Sequence, residues 1–380
     1  MSGPVSEGVL AVARTAAEVD SLRPIWDVAG ATGVDTDVDY FSTVVEVSPT
    51  ADRPHVIHLA TDDHDALLVA RHARTPLRVW TGTVRPASLV VSFDGVLGAR
   101  GTKDREHLLR ALLVALRDTD TSAAIVQKVD IDSEWFQTLS AVPARRRAVR
   151  GAVPLWRTDL PDSYDALLAQ RSTKSRRQLR FDDNKLRRTY GSRLTLRRLD
   201  DPEHHPRSTN DIMAVAEQSY QGKLGISLAD DAIQQALLER AREAGWLRAW
   251  MLYVDERPVA FWWGVVRSGI LSIGSPGFVP EHASDRVGYY TLRRMLEDAC
   301  ADPEICAIDW GAGHADYKER FGTSVRTVAD VVLTADDPAG WALAGLLHAE
   351  KRSMAIARST SARFELARRR RRRLVTRGTP

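Results

Sequence analysis

Cysteine is scarce: the 380 residues contain two, Cys300 and Cys306, too few for a disulfide framework. With no Cys or His pairs nearby they also lack zinc-binding spacing, so both are expected to be buried free thiols. No apolar run approaches the roughly eighteen residues that a membrane-spanning helix requires. The opening stretch "MSGPVSEGVLAVARTAAEVD" carries acids where a secretory signal would carry a basic region and an apolar core. These absences lead to the expectation of a soluble, cytoplasmic chain. Several catalytic signatures are missing as well. There is no H-E-x-x-H, no P-loop and no G-x-S-x-G, and "GAG" at 311 lacks the third glycine of a dinucleotide fingerprint, with Asp316 in its place.

What is present begins with enough apolar content, 44%, to build a sizeable core, at a length that implies two domains. The net charge of +3 conceals an asymmetry. Residues 351–380 hold eleven of the 53 basic residues and one of the 50 acids, which leaves a net −7 over the first 350. Most of the tail charge is the run Arg368 to Arg373, which stays solvated unless an anionic surface such as a membrane or RNA receives it. A second basic cluster spans 171–198 and reads as a helix in its first half, with Leu179 and Leu186 seven residues apart.

The hydrophobic pattern divides into two α/β halves joined near residues 155–165. In the first, "PHVIHLATD", "ALLVARHA", "LRVWTG" and "SLVVSFDGVLG" read as strands, "DREHLLRALLVALRDTD" as an amphipathic helix and "AAIVQKVD" as a further strand. In the second, "ADDAIQQALLERAREAG" reads as a helix behind an aspartate-rich cap, ending on Gly245. An antiparallel meander follows: "WLRAWMLYV", "PVAFWWGVV" and "GILSIGSPGFV". Next come a helix capped by Ser284 or Asp285, the strand "ICAIDW", the segment "DWGAGHADYKERFG" and a last strand, "VRTVADVVLTA". Trp262 and Trp263, adjacent on one strand, point to opposite faces.

Two stretches carry candidate chemistry. A helix N-terminus has unpaired N–H groups and a positive dipole end, and Gly288, at such a position, would let a pyrophosphate approach the backbone. The competing account is that Gly288 eases helix–strand packing. In the second stretch, a helix beginning near Gly313 would set Tyr317 and Phe321 on one face and His314 and Lys318 on the next, with Asp316 able to pair with Arg320. Here the alternatives are a core tyrosine at 317, a solvated lysine at 318, and an Asp309 that merely holds the turn.

"VDERPVAFWWG", "GFVPEHASDRVGYYTLRRML" and "DWGAGHADYKERFG", in this order, resemble the GNAT N-acyltransferase superfamily, and within it the CelD-like branch associated with cellulose and exopolysaccharide biosynthesis. The resemblance covers about residues 160–335 well and the first half weakly. It implies an α/β fold of two GNAT-like domains, as in Fem-type transferases, each a mixed, mostly antiparallel sheet flanked by helices. The expected divisions are a degenerate domain over 1–155, the acyltransferase domain over 156–336, and a helical extension with the polybasic tail over 337–380. The donor would be acetyl-CoA or another acyl-CoA, with no metal, and its pyrophosphate would sit on Arg286, Val287, Gly288 and Tyr289. This loop has one glycine where the family has two or three.

By the same resemblance Tyr317 would protonate the departing thiolate, Lys318 would stabilise anionic charge, and Asp309 or His314 would serve as base. The acceptor would be an amine on a small molecule or glycan precursor. Two alternatives stand beside this reading. One is a Fem-like transferase using aminoacyl-tRNA. The other is a non-catalytic scaffold of a polysaccharide-assembly complex, held at the inner membrane face by Arg368–Arg373.

Overall fold

The computed structural model describes residues 9–349 except 32, 49–51, 80–81, 119, 201–204 and 220–227. The run Arg368–Arg373 lies outside the described residues. The first half begins with β1 (Val9–Ala13), α1 (Ala16–Ser21), α2 (Arg23–Ala29) and, after a 3-10 turn at Val34–Thr36, α3 (Val38–Val47). Strands β2 (Arg53–Ala60), β3 (Asp65–Arg74), β4 (Leu77–Val79), β5 (Gly82–Val84) and β6 (Ala87–Leu97) follow. It ends with α4 (Thr102–Asp118), β7 (Ala123–Asp130), α5 (Glu134–Ser140) and β8 (Arg147–Asp159).

The second half opens with α6 (Tyr164–Ala169), α7 (Thr173–Tyr190), β9 (Leu194–Arg198), α8 (His205–Gln218) and α9 (Ala232–Glu243). The meander is β10 (Leu247–Val254), β11 (Arg257–Arg267), β12 (Ile270–Ile273) and β13 (Gly277–Phe278). Then come α10 (Val287–Ala301), β14 (Ala307–Ala312), α11 (Asp316–Phe321) and β15 (Ser324–Thr334). Residues 338–349 are helical and pack Leu343 and Leu347 against the first half's sheet. Among the described residues no helix is long and apolar enough to cross a membrane.

Local chemistry accounts for many of these boundaries. Asp231 caps α9 by accepting from the amides of Ile233 and Gln234 at 3.0 and 3.1 Å, and the helix gives way at Gly245, whose φ is +73°. Asp255 and Glu256, both at positive φ, form the two-residue turn between β10 and β11. Two expectations shift. The meander's third strand is broken: β12 ends at Ile273, and β13, beyond Pro276, turns back to pair with β11. Neither Ser284 nor Asp285 caps α10, because residues 280–285 form a 3-10 turn and the cap falls on Arg286 in the left-handed conformation.

The main sheet has 13 strands, in the order β1-β2-β3-β6-β7-β15-β8-β14-β12-β11-β10-β9, with β13 paired to β11. Five strands of each half thus flank a central pair. Each half has one parallel pair, β6 with β7 and β12 with β14, spanned by the long helices α4 and α10, and all other pairs are antiparallel. The central pair is exchanged: β15, from the end of the chain, hydrogen-bonds to β7 of the first half, and β8 hydrogen-bonds to β14 of the second. The boundary expected at 155 falls inside β8. This is an α/β fold of two GNAT-like domains, each with a mixed, mostly antiparallel sheet.

The tryptophan pair divides as the strand period requires. Trp262 packs with Trp250, Trp310 and α10 on one face, and Trp263 packs with α8 and α9 on the other. The cysteines do not follow expectation. Cys300 is half-buried and Cys306 is exposed, because it lies in the turn entering β14, where its thiol meets the Gly269 carbonyl at 3.1 Å.

Because each half borrows a strand from the other, neither can close its sheet alone. Scanning calorimetry is expected to show one transition for both halves; two well-separated transitions would mean that they fold independently.

Candidate active site

Arg286, at φ +59°, starts α10 without any side-chain cap, and the first amide bonded within the helix is that of Tyr290, to Arg286 O at 3.0 Å. The N–H groups of Val287, Gly288 and Tyr289 therefore have no backbone acceptor among the described residues. Together with Arg286 these residues line a cavity of about 780 Å³. At Gly288 a side chain would intrude on this space, since an added Cβ would lie 3.3 Å from the Phe278 ring. The Gly288 carbonyl is fixed by the indole N–H of Trp262 at 2.9 Å. Arg286 is held toward α7 by Asp182 at 3.0 Å, and Arg320 lies over the Tyr289 ring, 5.5 Å from its centre.

The corresponding helix start in the first half carries a carboxylate of its own. There the Asp104 carboxylate accepts from the Arg100 amide and pairs with His64, both at 2.8 Å. Its negative charge at the start of α4 disfavours a second anion there.

Tyr317 lines the same cavity as Gly288. Its ring meets Trp262 edge-on at 5.0 Å and Trp310 at 5.8 Å, and its hydroxyl makes no hydrogen bond with any described residue. Burial pushes that hydroxyl up to about 12. The short helix α11 is pinned at its far end by fully buried Phe321, whose carbonyl accepts from Thr158 Oγ1 at 2.6 Å and Arg171 Nη2 at 2.9 Å. The Asp316–Arg320 pair expected from the spacing does not form, since Arg320 is drawn to Tyr289 instead.

The remaining candidates lie elsewhere. Lys318 is buried, its ammonium bound to the carbonyls of Gly311 at 3.2 Å and Ala312 at 2.9 Å. Burial lowers its affinity for a proton. It ties down the turn in which Gly311 takes φ +72°, and it lines neither cavity described here. His314 is 72% exposed beside Glu319, outside both cavities. Asp309 accepts from the Gly311 amide at 2.7 Å and so does hold the turn. It also faces the other side of the sheet, into a second cavity of about 660 Å³. Five of the eight expected residues, Arg286, Val287, Gly288, Tyr289 and Tyr317, thus share one cavity, and a sixth borders the second.

The two cavities meet the sheet at the same place. Pairing of β12 with β14 ends at Ser272 and Asp309. Beyond that point residues 272–275 with Asp309, Gly311 and Ala312 border the second cavity, while residues 276–278 and Tyr317 border the first. The first half contributes to the second cavity through Asp35, Tyr40 and Asp94, none of which the sequence singled out. Asp37 holds this segment in place: it caps α3 through the amides of Asp39 and Tyr40 and binds Arg267 of β11 at 2.8 Å. The Tyr40 hydroxyl hydrogen-bonds the Asp35 carboxylate. Burial, with the Asp309 carboxylate adding to it, raises Asp35 to about 7; burial also raises Asp309.

Comparison with known proteins bears on the fold. Residues 173–319 match the family described as acetyltransferase (GNAT) domain. Similar solved structures include FemX, at a TM-score of 0.56 and 10% identity, covering 79% of this chain and 92% of that one. A tandem GNAT protein from the clavulanic acid biosynthesis pathway has a TM-score of 0.53 and 13% identity, covering 87% and 99%. A conserved protein of unknown function from Bacteroides thetaiotaomicron VPI-5482 has 0.55 and 10%, covering 85% and 100%. At these identities the likeness is one of fold. No curated protein matches the sequence. The family match is to an acetyltransferase (GNAT) domain over residues 173–319, and the solved structures extend the likeness in fold to most of the chain.

The raised carboxyl at Asp35 has a stability consequence. The folded chain binds this proton more tightly than the unfolded one, whose aspartate titrates near ~3.9, so stability falls as pH rises from about 4 through about 7 and then levels. Asp35→Asn, which cannot ionise, is expected to raise Tm by a few degrees at pH 8 and to change it little at pH 4. An equal effect at both pH values, or a loss at pH 8, would contradict the assignment.

Proposed function

We propose that the chain is an acyl-CoA-dependent N-acyltransferase, with acetyl-CoA or another acyl-CoA as donor. Its acceptor is an amino group of a sugar or other cell-envelope or exopolysaccharide precursor, the direction in which the CelD-like resemblance points. One observation carries the reading: an uncapped helix start, open at Gly288 and flanked by Arg286, shares a cavity with an otherwise unpartnered tyrosine hydroxyl. The first attracts a pyrophosphate, and the second can give a proton to a departing thiolate.

The reaction assigns work to both faces of the sheet. A carboxylate on the Asp309 side takes one proton from the acceptor ammonium and later passes it to solvent. The freed nitrogen lone pair forms the C–N bond to the thioester carbonyl. As the C–S bond breaks, Tyr317 gives its proton to the sulfur, and the second proton leaving nitrogen restores the tyrosine. Lys318, held by two carbonyls, keeps the turn between Asp309 and Tyr317 in shape.

A second reading, transfer from aminoacyl-tRNA, draws on one further observation. Helix α7, bound to the donor cavity through Asp182 and Arg286, exposes Lys174, Arg177, Lys185 and Arg188 along one stripe around Phe181, which is 58% exposed. A basic stripe with an aromatic at its centre suits a nucleic-acid strand. Attachment to an anionic membrane or RNA through Arg368–Arg373, at the inner membrane face, belongs to the proposal and rests on composition.

Scanning fluorimetry separates the donors, since a ligand at a hundred times its Kd stabilises by about 2.7 kcal/mol. CoA and acyl-CoAs are expected to raise Tm, and tRNA is not; the reverse would favour the second reading. Gly288→Val should abolish the CoA shift with an unchanged far-UV spectrum, and a retained shift would remove the reading's main support. Tyr317→Phe should lower turnover roughly ten- to ten-thousand-fold at unchanged donor affinity. Normal turnover would make Tyr317 a packing residue.

A further inference from the structure

The cavity on the Asp309 side is built by both halves, and its charges are unevenly matched. Four carboxylates face it, those of Asp35, Asp94, Asp130 and Asp309, against two cations, Lys128 and Arg326. Lys128 is committed to Asp330 by its ammonium at 3.3 Å and its amide at 3.0 Å. Arg326 lies 3.8 Å from Asp130 and is 59% exposed. Asp35, Asp94 and Asp309 therefore have no ion-pair partner among the described residues. Asp94 Oδ1 is buried and accepts no hydrogen bond. Burying unpaired carboxylates is costly, and a cation delivered from outside would offset that cost.

These carboxylates fall into two poles. Asp35 interacts with Asp309, and Asp94 interacts with Asp130. Asp130 ends β7 and Asp309 lies on β14, three strands apart, which is about 14 Å across the sheet at the usual strand spacing, and their rows meet β8 at Val153 and Arg157, so they are also offset along the strands. The first pole lies where β12 and β14 part, next to the donor cavity on the opposite face. The second lies deeper in the first half.

We propose that this cavity receives an elongated acceptor with two cationic nitrogens, the one to be acylated between Asp35 and Asp309 and the other against Asp94. The chemical class is a long diamine or an amine-bearing chain with a second ammonium at its far end. Asp35, from the half that carries no donor site, is then a base for the reaction beside Asp309, with Tyr40 orienting its carboxylate. The fate of the nitrogen rests on the acyltransferase reading, whereas binding of the dication does not.

The test measures binding of spermine, 1,10-diaminodecane, 1,3-diaminopropane and n-butylamine to the full chain by calorimetric titration, with CoA titrated separately. The two long amines are expected to bind at least about tenfold more tightly than the short diamine or the monoamine. Asp94→Asn should abolish that advantage and leave CoA binding unchanged. Should Asp94→Asn fail to fold by far-UV spectroscopy, Arg326→Ala provides the second arm: removing a competing cation should tighten binding of the long amines. Long amines that bind no better than n-butylamine, or an advantage indifferent to the variant that folds, would overturn the proposal. Tight binding of long amines without any binding of CoA would sustain it while sinking the acyltransferase reading. CoA binding without the long-amine advantage would do the opposite.

Discussion

Hydrogen bonding between β12 and β14 stops at Ser272 and Asp309, and the rest of the site follows from that parting. Parallel strands that separate leave a wedge open to both faces of the sheet. Strand alternation then sorts the side chains: Trp262, Ile308 and Trp310 go to the face carrying α10, and Trp263 and Asp309 to the face carrying α8 and α9. An uncapped helix start and an unpartnered tyrosine hydroxyl lie on one side, and a carboxylate lies on the other. The turn that connects them is stiff, because Lys318 binds two of its carbonyls and Asp309 one of its amides.

The exchange of β8 and β15 turns two similar halves into one functional unit. It brings the first half against the second closely enough for Arg267 to bind Asp37, which places Asp35 and Tyr40 beside Asp309. The division of labour is visible at the two corresponding helix starts. Asp104 puts a carboxylate at the start of α4, whereas α10 starts on Arg286 with no side-chain cap. The first half supplies walls of the second cavity.

Much of this was legible in the sequence, for reasons that particular residues make clear. The period-two pattern of "PVAFWWGVV" and the punctuation of "VDERP" depend on neighbours in the chain, and they predicted β10, β11 and the opposed tryptophans. The placing of Gly288 at a helix start and of Tyr317 on a later short helix was legible because both motifs are local. Lys318 was misjudged because spacing alone cannot tell a solvated lysine from one turned inward onto carbonyls. His314 was set aside by a helix that begins at Asp316 rather than near Gly313. Asp35, Tyr40 and Asp94 were invisible: they join Asp309 only through a strand exchange linking residues more than two hundred positions apart, and "GVDTDVDYF" bears no mark of it beyond its three acids.

The central claim is that a single helix start in this chain, that of α10, accepts the donor's pyrophosphate. Isothermal titration of the full chain with acetyl-CoA tests it directly, because the stoichiometry counts the open helix starts. The account predicts one site per chain, competed by CoA. Two sites per chain, or no saturable heat at any concentration up to about a millimolar, where binding would be worth only about 4 kcal/mol, would contradict it.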